Sequence, residues 1–98
     1  MGAFVDDAAG ADHLAELLKA LANPARLRIV AALCEGHTCV SALAERLAMG
    51  QAIVSQQLRI LRMEGLVEAE REGGFSHYCL AEPQLKELVK CLEKCPRA

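Results

Sequence analysis

Tryptophan is absent from the 98-residue sequence, and Phe4, Phe75 and Tyr78 are its only aromatic residues. A core so poor in rings must be built from Leu, Ala, Ile and Val, which suits packed helices. Long apolar runs are lacking as well. None approaches the ~20 residues that span a bilayer, so no membrane partner is expected. The opening MGAFVDDAAGADH has no basic stretch followed by an apolar one, so no signal peptide is expected. MGAFVD also lacks the Ser or Thr of a myristoylation signal, and a cytoplasmic protein is the expectation.

Positive charge is in short supply too. Eleven Lys and Arg stand against 13 Asp and Glu, a net charge of −2. Without a basic tail the chain has no global field to steer a polyanion. That weighs against indiscriminate nucleic-acid binding and leaves a local basic face open. Catalytic constellations are missing: no Ser-His-Asp set, no glycine-rich phosphate loop, no paired acids for a cleft. His13, His37 and His77 are scattered and read as surface or packing residues. An enzyme is therefore not expected.

What is present points to one small domain. Such a chain buries roughly 60% of its unfolded surface, and a second copy would extend its core. Residues 1–11 are expected to form a flexible arm, 12–95 the folded domain and 96–98 a tail. Leu14, Leu17, Leu18 and Leu21 repeat at helix spacing from Asp12 onward. Asn23 can cap a second helix with Pro24 in its first position, running to Cys34 with Leu27, Ile29, Val30 and Leu33 inward. A third short helix spans Val40 to Leu47, and Gly50 offers a positive φ for the tight turn after it. Gln51 to Glu64 forms the fourth, with Val54, Leu58 and Leu61 on one face and Gly65 as its stop. Leu66–Arg71 and Phe75–Leu80 read as strands around a Glu72-Gly73-Gly74 turn. Pro83 starts a last helix, ended by Cys95-Pro96, with Leu85, Leu88, Val89 and Leu92 inward. The first and last helices carry similar leucine stripes, too apolar for a monomer surface, which suits a dimer seam.

Helix, short turn, helix, then hairpin is the order of a winged helix-turn-helix. There the second helix of the pair enters the major groove. Gln51, Ser55, Gln56, Arg59 and Arg62 fall outside the inward arc of Val54, Leu58 and Leu61. Gln can bridge adenine, Ser several bases, and Arg guanine or phosphate. An ordinary amphipathic helix with a solvated polar face has the same pattern, and the flanking segments decide between the two.

Leu18-Lys-Ala-Leu-Ala-Asn-Pro-Ala-Arg-Leu-Arg-Ile29, Val54-Ser-Gln-Gln-Leu-Arg-Ile-Leu-Arg62 and Glu64-Gly-Leu-Val67 together resemble the ArsR/SmtB family of small dimeric repressors. The resemblance covers Leu14 to Leu92. It implies a mainly α fold with a β-hairpin: five helices, a two-stranded wing, and a homodimer through the first and last helices. Leu14, Leu17, Leu18, Leu85, Leu88 and Leu92 would line that interface. Gln51, Ser55, Gln56, Gln57 and Arg59 match the family's DNA-reading positions, and Arg62 and the wing's Arg71 add cations. The partner would be a double-stranded operator in the form of an imperfect palindrome. Gly50, Ala52 and Gln57 depart from the family's usual residues, which bears on operator preference. Glu68, Glu70 and Glu72 flank Arg71 and make the wing acidic, as a protein-interaction winged helix without DNA binding would have it.

The resemblance also implies an inducer that releases DNA. The family's Cys-Val-Cys site is incomplete in Thr38-Cys39-Val40-Ser41, and the last helix lacks the histidines of its zinc site. Five cysteines in a reducing compartment still point to thiol chemistry. Cys91 and Cys95, four apart, share one helical face, and Cys79 or a thiol of a second chain can join them. Arsenite-like As(III) or a soft metal ion selects such sulfurs. Oxidants or reactive sulfur species are the alternative, helped by nearby Lys90, Lys94 and Arg97. Packing explains Cys34 and Cys39 equally well. No cofactor is expected to be needed for folding.

Overall fold

The computed structural model describes residues 3–96; Arg97 and Ala98 of the expected tail, and the first two residues of the expected arm, lie outside the described residues. The described residues form five helices and one hairpin: α1 Ala8–Leu21, α2 Pro24–Cys34, α3 Val40–Leu47, α4 Gln51–Met63, β1 Val67–Glu72, β2 Phe75–Leu80 and α5 Gln84–Glu93. A 3-10 turn at Phe4–Asp6 precedes α1. The expected arm is thus helical from Ala8 on, because the Asp7 carboxylate accepts from the Gly10 N–H at 2.9 Å and caps the helix four residues early.

Asn23 caps α2 as expected, its Oδ1 accepting from the Arg26 N–H at 3.1 Å, with Pro24 in the first turn. The turn between α3 and α4 differs from expectation. Gly50 sits at φ −64 as the N-cap of α4, and Ala48 holds the left-handed conformation at φ 54. The bend falls there because α3 must end on a left-handed residue for the Met49 N–H to reach the Ala44 carbonyl, 3.0 Å away. α4 closes as read, with Gly65 at φ 80 and the Leu66 N–H on the Leu61 carbonyl at 2.9 Å.

The strands are antiparallel, and the tip is formed by Gly73 and Gly74, both at positive φ. β1 starts one residue later than expected, since Leu66 still belongs to the helix end. The Tyr78 N–H donates to the Thr38 carbonyl at 2.8 Å, which ties β2 to the segment before α3.

Ile29, Val30, Leu43, Val54, Leu58, Leu61, Leu66 and Val67 form the fully buried centre, where α2, α3, α4 and the base of the wing meet. Leu27, expected inward, is 38% exposed, because it faces away from α4 beside Leu92. Of the expected interface leucines, Leu85 is buried, Leu17 and Leu88 are half-buried, and Leu14, Leu18 and Leu92 are exposed. No helix among the described residues is long and apolar enough to cross a membrane.

Candidate nucleic-acid interface

The helix pair is fixed from behind by two arginines of α2. Arg28 Nη2 donates to the Leu47 carbonyl at 3.0 Å and completes the C-terminal end of α3. Arg26 Nη1 donates to Gln57 Oε1 on α4 at 3.1 Å. Arg46 is also engaged internally, gripping Glu35 through two bonds of 3.0 and 3.1 Å. Among the described residues, Arg59 and Arg62 form no ion pair. A slightly acidic chain has therefore spent some cations on its scaffold and kept others on one helix face.

Val54, Leu58 and Leu61 anchor α4 at 0% exposure, so its opposite side must face outward. Ser55, Gln56, Arg59, Arg62 and Met63 then line a hollow of about 730 Å³, with Tyr78 of β2 on its far side. Gln51 is exposed at the start of α4, where no side chain caps the first N–H groups. Free N–H groups at a helix start favour an anion such as phosphate. Gln57 stands apart from this set: it is half-buried and turned to Arg26. That Met63 and Tyr78 line the hollow was not legible from the sequence. Met63 is 79% exposed, although apolar type alone reads as core. Only its position outside the inward arc of α4 hinted at it.

The wing's charges sort by face. Successive strand residues point to opposite sides of a sheet. Val67, Ala69 and Arg71 pair with Leu80, Tyr78 and Ser76, while Glu68, Glu70 and Glu72 pair with Cys79, His77 and Phe75. Arg71 therefore falls on the sheet face of Tyr78, which lines the hollow, and the three glutamates on the other face; Glu68 and Glu70 border a second hollow with Arg62.

The thiols lie elsewhere. Cys79, Cys91 and Cys95 are exposed. α5 ends at Glu93, so Cys95 falls on the following turn rather than on the helix face expected for it, with its Sγ 3.8 Å from the Cys91 carbonyl. The Lys94 and Cys95 N–H groups bond to the Cys91 and Leu92 carbonyls at 3.2 and 3.1 Å, a tighter turn than the α-helix before it. Among the described residues, no three His, Cys, Asp or Glu side chains are grouped to hold a metal ion within the chain. Burial pushes the Cys34 thiol above its ordinary range, against the opposing pull of Lys86. Cys39 is shifted down, chiefly by the Ser41 hydroxyl 3.4 Å from its sulfur.

Known proteins share this arrangement. The family model for the bacterial regulatory protein, arsR family, matches residues 23–69, from the cap of α2 into β1. The biofilm growth-associated repressor of Xylella fastidiosa is 40% identical over 82 residues, 84% of this chain and 72% of that protein. The homodimeric winged helix-turn-helix DNA-binding domain from Mycobacterium bovis has a TM-score of 0.78 at 37% identity, covering 89% of this chain and 81% of that one. The antimony-specific transcriptional repressor AntR gives 0.73 at 35% identity, covering 86% and 79%.

Proposed function

Because the chain belongs to the arsR family of bacterial regulatory proteins, we propose that it works as a dimeric repressor, seated on operator DNA by α4 and the wing and released by a thiol-directed inducer. It is a winged helix-turn-helix transcriptional repressor. Two α4 helices related by a two-fold axis enter successive major grooves, about 34–36 Å apart, of an imperfect palindrome. Ser55, Gln56 and Arg59 meet base edges, while Gln51, Arg62 and Arg71 meet phosphate and hold the register. The M. bovis relative is homodimeric, and the exposed leucines of α1 and α5 suit the same association here.

One observation carries the DNA reading: the sorting of charge around the hollow. Arg59 and Arg62 line the hollow and, among the described residues, no Asp or Glu does, while strand alternation puts Arg71 on the sheet face of Tyr78 and Glu68, Glu70 and Glu72 on the other. A slightly acidic chain can thus offer a basic footprint to a duplex. The test is a gel shift on the DNA upstream of the protein's own gene. The wild type retains a palindromic fragment, and Arg59→Ala combined with Gln56→Ala loses it, since each base contact contributes about 1–3 kcal/mol. An operator complex that survives both substitutions removes the groove assignment.

For release, Cys91 and Cys95 are the ligands, joined by a thiol of the second subunit. Arsenite-like As(III) or a soft metal ion selects such a set, and AntR is an antimony-specific member of similar fold. A coupling of about 1–3 kcal/mol between the two sites changes operator affinity about 5–150-fold. Cys91→Ser with Cys95→Ser abolishes release by arsenite; normal release from that variant would dismiss the site. That no third donor lies beside the pair among the described residues also favours a second reading, in which an oxidant or reactive sulfur species modifies the same two exposed thiols. Intact mass separates the two: bound As(III) adds its mass less one proton for each thiol it occupies, and a disulfide removes two hydrogen atoms, whose two protons and two electrons pass to the oxidant.

A further inference from the structure

Gln57 looks, by its place in α4, like one more base reader. Its surroundings argue otherwise. We infer that Gln57 and Arg26 form a positioning pair that locks the reading helix to the end of α1, and that Gln57 reads no base. The inference rests on the operator-binding reading of α4.

The last four carbonyls of a helix have no partner within it. In α1 those of Leu18 and Lys19 accept from the Ala22 N–H, and that of Leu21 from the Asn23 N–H. The carbonyl of Ala20, a residue 5% exposed, has no such backbone donor among the described residues. It accepts from Arg26 Nε at 2.6 Å. A cation at that end also suits the helix dipole. The other edge of the same guanidinium reaches Gln57 Oε1 at 3.1 Å, 31 residues along the chain. Below them, Asn23 fixes the Arg26 backbone.

A guanidinium is planar, and its donors are held in a rigid fork. With α1 on one prong and α4 on the other, neither helix end can shift by an ångström without stretching a bond. α1 carries the exposed leucines Leu14 and Leu18, so the strut joins the surface proposed for the second subunit to the helix proposed for the groove. Engaging Oε1 also fixes the Gln57 amide plane. A side chain so held half-buried cannot turn to offer the donor–acceptor pair that adenine requires.

Positioning and reading predict different profiles. A base reader, when changed, relaxes preference at one base pair, whereas a positioning residue alters all sites alike. The experiment measures affinity across a library of operator variants for the full-length protein. Arg26→Lys, which keeps the charge but not the fork, weakens binding to every variant by about 5-fold or more with the ranking unchanged. Gln57→Glu keeps an acceptor for Arg26 and leaves the base preferences as they were. Arg59→Ala, as a control, relaxes one position in each half-site. NMR of the free protein adds a readout independent of DNA: the Arg26 Nη1 protons, bonded to Gln57, exchange slowly with water in the wild type and in Gln57→Glu, and quickly in Gln57→Ala. A Gln57→Glu protein whose preference changes at a single base pair, or Arg26 Nη1 protons that exchange freely in the wild type, would overturn the pair. A wild type that selects no DNA, yet shows the protected Nη1 protons, would sink the operator reading while leaving the strut standing.

Discussion

α4 and α5 are both short amphipathic helices, yet one is finished by its own chain and the other is not. α4 buries Val54, Leu58 and Leu61 at 0% exposure, covered by α2, α3 and β1. α5 rests mainly on α2, buries Leu85 and Val89, and leaves Leu92 45% exposed. A similar stripe of leucines therefore means different things in the two places. In α4 it fixes the helix so that its other side can do chemistry. In α5, and in α1 with Leu18 at 50%, it is half of a surface.

The largest expected effect tests that contrast directly. Leu58→Ala removes a fully enclosed side chain and lowers unfolding stability by about 2–5 kcal/mol. Leu92→Ala leaves the isolated fold nearly as stable and instead lowers the melting temperature at high protein concentration and flattens its concentration dependence, because association contributes by mass action. Thermal melts over a hundredfold dilution series measure both. Equal losses for the two variants at the lowest concentration would mean that α5 is already complete within one chain.

A second contrast lies among the arginines. Arg28 caps α3 through the Leu47 carbonyl, and Arg59 has no acidic partner among the described residues. Arg59→Ala is expected to cost about 1–3 kcal/mol of operator binding with an unchanged melting temperature. Arg28→Ala costs about 1 kcal/mol of stability instead, and affects binding only through that loss. Paired melting and titration data on the two variants separate the roles. An Arg59→Ala protein that melts early but binds normally would reverse them.

These contrasts also show what the sequence could carry. Asn23-Pro24, Gly65 and the Gly73-Gly74 tip were readable because each acts on its own backbone within a few residues. The inward arc of α4 was readable because periodicity is a local property. Partners distant in sequence were not: nothing in the stretch around Gln57 announces Arg26, and nothing in Glu-Ala-Glu-Arg-Glu separates Arg71 from its neighbours until the strand register assigns faces. The early start of α1 was missed because Asp7 and Gly10 precede the leucine stripe that defined the helix. The outward face of α4 was therefore largely legible, and the end of α5 was not, since the turn that carries Cys95 departs from helical spacing.

Ala48 gives a smaller and opposite effect. A side chain at φ 54 costs about 1–2 kcal/mol relative to ordinary backbone. Ala48→Gly relieves that strain and gives part of it back as unfolded-state entropy. A net gain of about 0.5–1 kcal/mol in chemical denaturation is expected. A loss would mean that the Ala48 methyl does more than the backbone argument allows.

The smallest expected effect separates two thiols that frame one turn. Cys34, at the end of α2, is held above the ordinary thiol range by burial, and Cys39, at the start of α3, is held below it by the Ser41 hydroxyl and nearby backbone N–H groups. Only the thiolate attacks an alkylating reagent. Its fraction rises as pH climbs through the pKa, so the lowered group reacts at a lower pH than the raised one. Iodoacetamide labelling of the folded protein from pH 6 to 9, read by peptide mass, should modify Cys39 first and Cys34 last. Ser41→Ala moves the Cys39 profile to higher pH and leaves Cys34 in place. A Cys39 profile that ignores Ser41 would show that the hydrogen bond at 3.4 Å does not set its reactivity.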